Sequence, residues 1–375
     1  MRALQARGGW QMERKRARDH GIRIGRFEPG PGNAITDVSG VRVGQRTVVR
    51  GDDVRTGVTA VFPTESMPWH ERVYAGTHIL NGYGELIGIN QINEWGLLST
   101  PVLLTSSLLI GFVYDAAVKW MNLELPEHQA DDGIEMPVVT ECDDSWLNDV
   151  LSQPIGEQDV FDALNAATGG TVEEGSVGAG TGMACFDFKG GIGTASRVLP
   201  PENGGYTVGA LVQTNFGDRE DLRIDGVPVG AEFPDDVPDW SAEGSCIVVV
   251  ATDAPMLPHQ VRRLAVRAGL GLARTGSMAG NGSGEQMIAF STANRIPKVT
   301  ADGTVDVRGL LDGSSYDSPA VFSPLFAATV EAVEESVVNA LFAAMTTVGR
   351  NGNTLHALPI DRTLEILDRH GRLFA

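Results

Sequence analysis

A chain of 375 residues with 42% hydrophobic and 21% charged residues carries enough apolar side chains for one large domain or two smaller ones. Its 48 acidic residues against 29 basic ones leave a formal net charge of −19, a surface that repels phosphate backbones and argues against nucleic acid as a partner. There is no run of about 18 apolar residues to make a membrane-spanning helix, and the three cysteines, Cys142, Cys185 and Cys246, are odd in number and far apart, as expected of a reduced cytoplasmic protein without a disulfide framework.

Along the chain, residues 1–26 stand apart. They hold the basic cluster Arg14-Lys15-Arg16-Ala17-Arg18 with no apolar segment behind it, so they read as a flexible basic tail and not a signal peptide, with Met12 a candidate alternative start. Residues 27–375 show no repeat and no break in composition, and are expected to form a single domain. "NAITDVSGVRVGQRTVV" (33–49) reads as turn, strand, turn, and "GVTAVFP" (57–63) as a strand stopped by proline. A helix is expected after Ser106 or Ser107, with Leu109, Val113 and Ala116 inward. "MPVVTECDD" is a strand ending in an acidic turn, and "VFDALNAATGG" a short helix closed by Gly169. "SVGAGTGMACFDF", "GIGTASRVL" and "TVGALVQTNFG" read as three successive strands. "GSCIVVVAT" is a strand behind a Gly-Ser hinge. The segment after Pro258 is an amphipathic helix with Val261, Leu264, Ala265 and Ala268 on one face. "GEQMIAFSTAN" is another strand. The longest helix is expected to be capped by Ser323, to carry Pro324 in its first turn and to end at Gly349, with Leu325, Val330, Val333, Val337 and Leu341 covering a sheet. Strand clusters alternating with amphipathic helices predict an α/β fold, sheets sandwiched by helices.

The chemistry was narrowed by spacing. The seven histidines show no HxxxH or HxH pattern and there is no CxxC, so no metal site is expected. "GAGTGM" (178–183) lacks the full G-x-G-x-x-G and no helix is expected after it; close strand packing accounts for its glycines better than a nucleotide loop. No G-x-S-x-G elbow exists for a Ser-His-Asp hydrolase, although Ser283 in "GNGSGE" comes near. A serine nucleophile then needs another base. One source is Ser283 with Glu285, two apart on an extended chain. The other is the serine's own α-amine, with a pKa of about 8 once it is a free terminus. The second option suits Gly244-Ser245, where Ser245 would attack the carbonyl of Gly244, form an ester by N→O acyl shift, and be released by water.

The segments "GSCIVVVATDAPMLP", "RLAVRAGLGLARTGS" and "GNGSGE", with "NAITDVSGVRVG", "LNGYGELIG", "VGAGTGMACFDFKGGIGTASRV", "LVQTNFG" and "GRNGNTLHALP", resemble the self-processing DmpA-type aminopeptidases, which include L-aminopeptidase/D-esterases and β-peptidyl aminopeptidases. The resemblance covers nearly everything from Asn33 onward. It implies a four-layer αββα sandwich, like Ntn hydrolases but with different connectivity and shared with the ornithine acetyltransferases. It implies self-cleavage before Ser245 into chains 1–244 and 245–375, with Ser245 as nucleophile. Ser283 and Glu285 match the helper pair, Asn215 the oxyanion-binding asparagine, and Glu141 the acid that grips the substrate's free amino group. The substrate would be a short peptide, amide or ester with that amino group, no cofactor is implied, and the enzyme would be a homotetramer or larger. Where similar sequences carry an aromatic residue two positions after the glutamate, this chain has Asp143, so either Asp143 faces a cationic substrate or Trp146 takes over the packing. Cys142 reads as a small packing residue. Related acyltransferases and amide-oligomer hydrolases tend to carry threonine at the position of Ser245, and a non-catalytic small-amine binding protein is the remaining alternative.

Overall fold

The computed structural model describes residues 14–124, 135–239, 244–312 and 320–374. In chain order the elements are β1 (Arg42–Arg50), β2 (Val54–Phe62), β3 (Glu71–Gly82), β4 (Leu86–Ile87), α1 (Ile89–Trp95), β5 (Leu97–Leu98), β6 (Val102–Ser106), α2 (Ile110–Glu124) and β7 (Val138–Cys142). There follow α3 (Glu157–Asn165), β8 (Ala184–Cys185), β9 (Phe188–Lys189), β10 (Ile192–Val198), β11 (Thr207–Asn215), β12 (Ser245–Thr252), α4 (Pro258–Arg274) and β13 (Gly284–Pro297). The chain closes with α5 (Phe322–Ala343), β14 (Thr347–Val348), β15 (Thr354–Leu355) and α6 (Ile360–Arg369).

Two sheets lie face to face. One runs β1-β2-β6-β7-β4 and the other β10-β11-β12-β13-β3-β5. The core between them is built from Val61, Leu104, Leu211, Ile247, Val249 and Ile288, all buried. Beneath the first sheet, α2 and α3 bury Val113, Trp120 and Val160 against Val58, Ala60 and Leu103. Over the second, α4 and α5 bury Leu264, Ala268, Leu325 and Val337 against Val248 and Val250. These four layers are the expected αββα sandwich. Each sheet contains one parallel pair, β6 with β7 and β12 with β13, and each is closed by a helical crossover, α2 and α4, because a tight hairpin cannot join parallel strands. Among the described residues no helix is long and apolar enough to cross a membrane.

Four expectations are corrected. The tail falls partly outside the described residues, at 1–13, but residues 14–26 are packed. Ala17, Ile22 and Ile24 are buried, Arg16 pairs with Glu174 at 2.7 Å and Arg18 with Glu335 at 2.8 Å. Basic residues that look solvated in sequence find buried carboxylates in the fold. The stretch 176–188 is no continuous strand but a short 3-10 turn at Gly178–Gly180 followed by the two-residue strands β8 and β9. The helix α5 starts at Phe322 and stops at Ala343, because Ala344 is extended (ψ 144°), while Gly349 instead opens a turn whose N–H donates to Asn353 O at 2.9 Å. The short helix α3 ends at Asn165, before Gly169.

Candidate active site

The site forms where β12 begins. Along this strand the pleat sends Cys246, Val248 and Val250 to the helical layer, and Ile247, Val249 and Ala251 to the facing sheet, β1-β2-β6-β7-β4. Ser245 shares the parity of the latter set, so its hydroxyl is directed between the sheets. Ser245 pairs with Asn215, the last residue of β11, and on its other side with Gly284, the first of β13. Two ladder registers therefore bring three distant sequence positions to one strand end.

Asn215 is fixed from three sides. Its Oδ1 accepts the Ala184 N–H at 3.1 Å, and its Nδ2 donates to Asp143 O at 2.9 Å and to Ser245 Oγ at 3.3 Å. Those partners determine which end of the amide is the donor. A preset N–H pair beside a serine hydroxyl is what a developing oxyanion needs.

Ser283 and Glu285 lie on the adjoining strand end, both buried, with the Ser283 hydroxyl donating to Glu285 Oε1. Burial raises the Glu285 carboxyl, and the Ser283 bond opposes that shift. A register shift against β3 falls between Glu285 and Gln286, where an added residue re-aims a side chain beside a site.

Position 244 has room for glycine alone. The reason is crowding: a Cβ would sit 2.5 Å from Asn215 O and 2.6 Å from Phe216 Cα. The carbonyl of Gly244 accepts the Gly284 N–H at 3.2 Å. Beside Gly244 and Asn215 opens a cavity of about 720 Å³, with Phe216, Asp218, Glu220 and Phe233 in its wall.

Glu141, the penultimate residue of β7, is a buried carboxylate. It accepts the Glu85 N–H at 2.9 Å and the Ser107 hydroxyl, and burial, with the nearby Asp143 and Glu85 charges adding to it, raises its carboxyl above the usual range. Gly84 lies between it and the head of β13: a point at the Gly84 Cβ position is 3.1 Å from Glu141 Oε1 and 3.7 Å from Gly284 Cα. Asp143 is exposed, and its carboxylate is turned onto Ser145, accepting the backbone N–H and the hydroxyl at 2.9 Å each. Only its backbone carbonyl reaches Asn215. Trp146 is half-buried and packs with Leu147, Ala184 and Leu355, so it supports the residue that holds Asn215. Cys142 is fully buried, its thiol donates to Gln213 O at 3.9 Å, and burial pushes that thiol well up, which suits packing and not nucleophilic attack.

Sequence reasoning missed Lys189. It is fully buried, and its ammonium donates to the carbonyls of Gly180, Met183 and Gly190 at 3.1, 2.7 and 2.7 Å.

A four-layer sandwich with a serine heading a central strand, an asparagine donor across the ladder and a buried carboxylate nearby defines an Ntn-hydrolase-like serine aminopeptidase. The model of peptidase family S58 matches residues 33–355, and the chain belongs to that family. The β-peptidyl aminopeptidase BapA of Sphingosinicella xenopeptidilytica is 40% identical over 94% of this chain and 90% of its own length. A solved protein of Pyrococcus horikoshii OT3 superposes with a TM-score of 0.88 at 45% identity, covering 96% of this chain and 100% of that one. The L-aminopeptidase D-Ala-esterase/amidase of Ochrobactrum anthropi, described as a prototype serine aminopeptidase with a variant Ntn hydrolase fold, gives 0.87 at 42% identity, covering 96% and 99%.

Proposed function

We propose that this aminopeptidase activates itself by cutting Gly244-Ser245 and then removes the N-terminal α- or β-aminoacyl residue from short peptides, amides or esters. The observation that carries the reading is Ser245 Oγ at 3.3 Å from Asn215 Nδ2, at the head of β12, with Ser283-Glu285 on the neighbouring strand end. In the first step Ser245 Oγ attacks the Gly244 carbonyl carbon. The C–O bond forms, the C–N bond breaks, and the hydroxyl proton passes to the Ser245 nitrogen. Gly284 N–H, already on that carbonyl, steadies the oxygen as it gains charge. Water then hydrolyses the ester and frees Ser245 with its α-amine.

In turnover Ser245 Oγ attacks the substrate carbonyl and Asn215 Nδ2 holds the oxyanion. The freed α-amine, or Ser283 backed by Glu285, takes the hydroxyl proton and returns it to the leaving nitrogen. Ionised Glu141 receives the substrate ammonium, which demands an unblocked N-terminus. With the freed α-amine as base the leaving group must lie beside the α-nitrogen of Ser245, next to Gly244 in the cavity wall. The relative named a β-peptidyl aminopeptidase supports testing β-aminoacyl substrates first, alongside α-aminoacyl amides and esters. The family resemblance also supports a homotetramer or larger assembly, and the three buried free thiols suit a cytoplasmic setting.

Intact mass tests the reading. Wild-type protein should appear as two fragments divided at Gly244-Ser245, and Ser245→Ala as one uncut chain inactive on every aminoacyl substrate. A single uncut wild-type chain that still turns over substrate would overturn self-activation. Undiminished turnover by Ser245→Ala would overturn the nucleophile assignment.

A further inference from the structure

The fully buried ammonium of Lys189 has no part in the chemistry above, yet it sits one peptide group away from it. The Met183 carbonyl that accepts its 2.7 Å bond and the Ala184 N–H that donates to Asn215 Oδ1 at 3.1 Å belong to the same peptide unit. A cation on the oxygen of a peptide withdraws electron density and makes the N–H of that peptide a stronger donor. The next amide in line is Asn215, whose Oδ1 is the acceptor and whose Nδ2 points at Ser245 Oγ. The chain therefore runs from ammonium to peptide to carboxamide to the reacting oxygen, every dipole aligned in one sense.

The nest is built for a cation. Three carbonyls match the three donors of an ammonium, and among the described residues no carboxylate is bonded to it: the nearby titratable groups are Cys185, a thiol that burial keeps neutral, and Asp144, acting through space. Burial pushes the ammonium down to about 7, so holding the charge there works against the rest of the fold. The segment it ties down has little regular structure of its own: a single 3-10 turn, then a two-residue hairpin with Phe186 and Asp187 both at positive φ, 51° and 58°.

We propose that Lys189 is a positioning residue for catalysis, which sets and polarises the oxyanion donor Asn215 through the 183–184 peptide. This rests on the reading of Asn215 as that donor. Lys189 touches no substrate, so its effect falls on the transition state, where the oxyanion carries charge, and not on substrate capture.

A double-mutant cycle on the full-length, self-cleaved enzyme tests it, with rates normalised to cleaved chain counted by intact mass. Asn215→Ala is expected to lower kcat by about 10²–10³-fold, the usual loss for one oxyanion donor. Lys189→Met should lower kcat by roughly ten- to a hundredfold with KM changed less than threefold. Adding it to Asn215→Ala should cost nothing further, because the pathway is already cut. Lys189→Gln retains two donors without charge, and should show the same loss and the same coupling if the larger change does not fold. Losses that multiply in the double variant would overturn the proposal and leave the Asn215 reading intact. So would a rise in KM at unchanged kcat, or failure of both Lys189 variants to fold, which would make the lysine purely structural. An Asn215→Ala enzyme with full kcat would instead remove the oxyanion reading itself.

Discussion

Glu141 is a carboxylate whose surroundings oppose the charge that the proposed grip on a substrate ammonium would require. Burial, with Asp143 and Glu85 nearby, raises it, while the Ser107 hydroxyl and the Glu85 N–H only partly offset that. In the free enzyme the neutral acid therefore persists to higher pH than for an ordinary glutamate, and the neutral acid cannot pair with an ammonium. The sign follows: as pH falls through the raised pKa of Glu141, KM for amino-terminal substrates should rise while kcat at saturation changes less. The limb should lie above the normal carboxylate range, since the shift is upward. Glu141→Gln should raise KM by about ten- to a hundredfold, as for loss of one charge-assisted pair, and abolish that acid limb of kcat/KM. Profiles of kcat/KM between pH 4 and 8 for both proteins decide it. A wild-type limb that survives in Glu141→Gln would assign the ionisation to Glu285, whose carboxyl burial also raises.

At the scale of elements, the helix layer and the sheet that carries Ser245 meet at a close contact. Gly193 of β10 lies under α5, and a Cβ there would come within 1.9 Å of Ser336 O and 2.8 Å of Ala340 N. Those are helix backbone atoms, which cannot rotate aside. Gly193→Ala should therefore destabilise the protein by about 1–3 kcal/mol through overpacking, seen as a lower urea midpoint with an unchanged m-value. An unchanged midpoint would mean that α5 can lift from the sheet freely. The elements around Ser245 were readable because their signals are local: β-branched residues in β12, a 3.6-residue apolar stripe in α4, and the short apolar run Met287–Phe290 in β13. Ser245, Ser283 and Glu285 were reached from local chemistry, a hydroxyl on a glycine hinge and a hydroxyl-carboxylate pair two apart, and Asn215 and Glu141 by motif resemblance. The segment around Lys189 was not readable, for a physical reason. Its backbone bonds go to remote partners, Phe186 N to Phe216 O, Lys189 N to His356 O and Gly190 N to Met183 O, each at 2.7–2.9 Å. Its β8–β9 turn puts Phe186 and Asp187 where a hairpin ordinarily uses Asn-Gly. A single lysine among apolar residues carries no spacing signal, and only the three converging carbonyls reveal its place.

For the whole molecule, the segment that looks most dispensable in sequence is a clamp on the fold. Arg197, on β10 and fully buried, reaches Glu335 of α5 at 2.6 Å, and Arg18 reaches the same carboxylate at 2.8 Å. Asn33 Nδ2 adds a bond to Glu335 at 2.6 Å, and Asn339 Oδ1 accepts the Ala17 N–H at 3.2 Å. One buried carboxylate thus ties together the N-terminal segment, the edge strand of a sheet and the longest helix. Burial alone would raise the Glu335 carboxyl, yet Arg197 and Arg18 hold it below its ordinary value. A carboxyl lowered in the folded state stabilises the fold above its unfolded pKa, and that contribution is lost as pH falls through the folded value. Removing Arg197 leaves buried Glu335 with Arg18 as its remaining cation and takes from Glu331 the guanidinium 3.5 Å away, so Arg197→Met should cost up to about 3–5 kcal/mol. Deleting residues 1–26 should also destabilise, because it strips Arg18 together with the buried Ala17, Ile22 and Ile24. A chain begun at Met12 keeps Arg14, Arg16 and Arg18, and is the reference for that deletion. Thermal melts of the three variants at pH 7 separate a clamp from a solvated tail: a tail would leave the 1–26 deletion as stable as the Met12 chain. The Arg197→Met deficit should shrink as Glu335 protonates in acid, because the carboxylate left without its partner is then no longer charged.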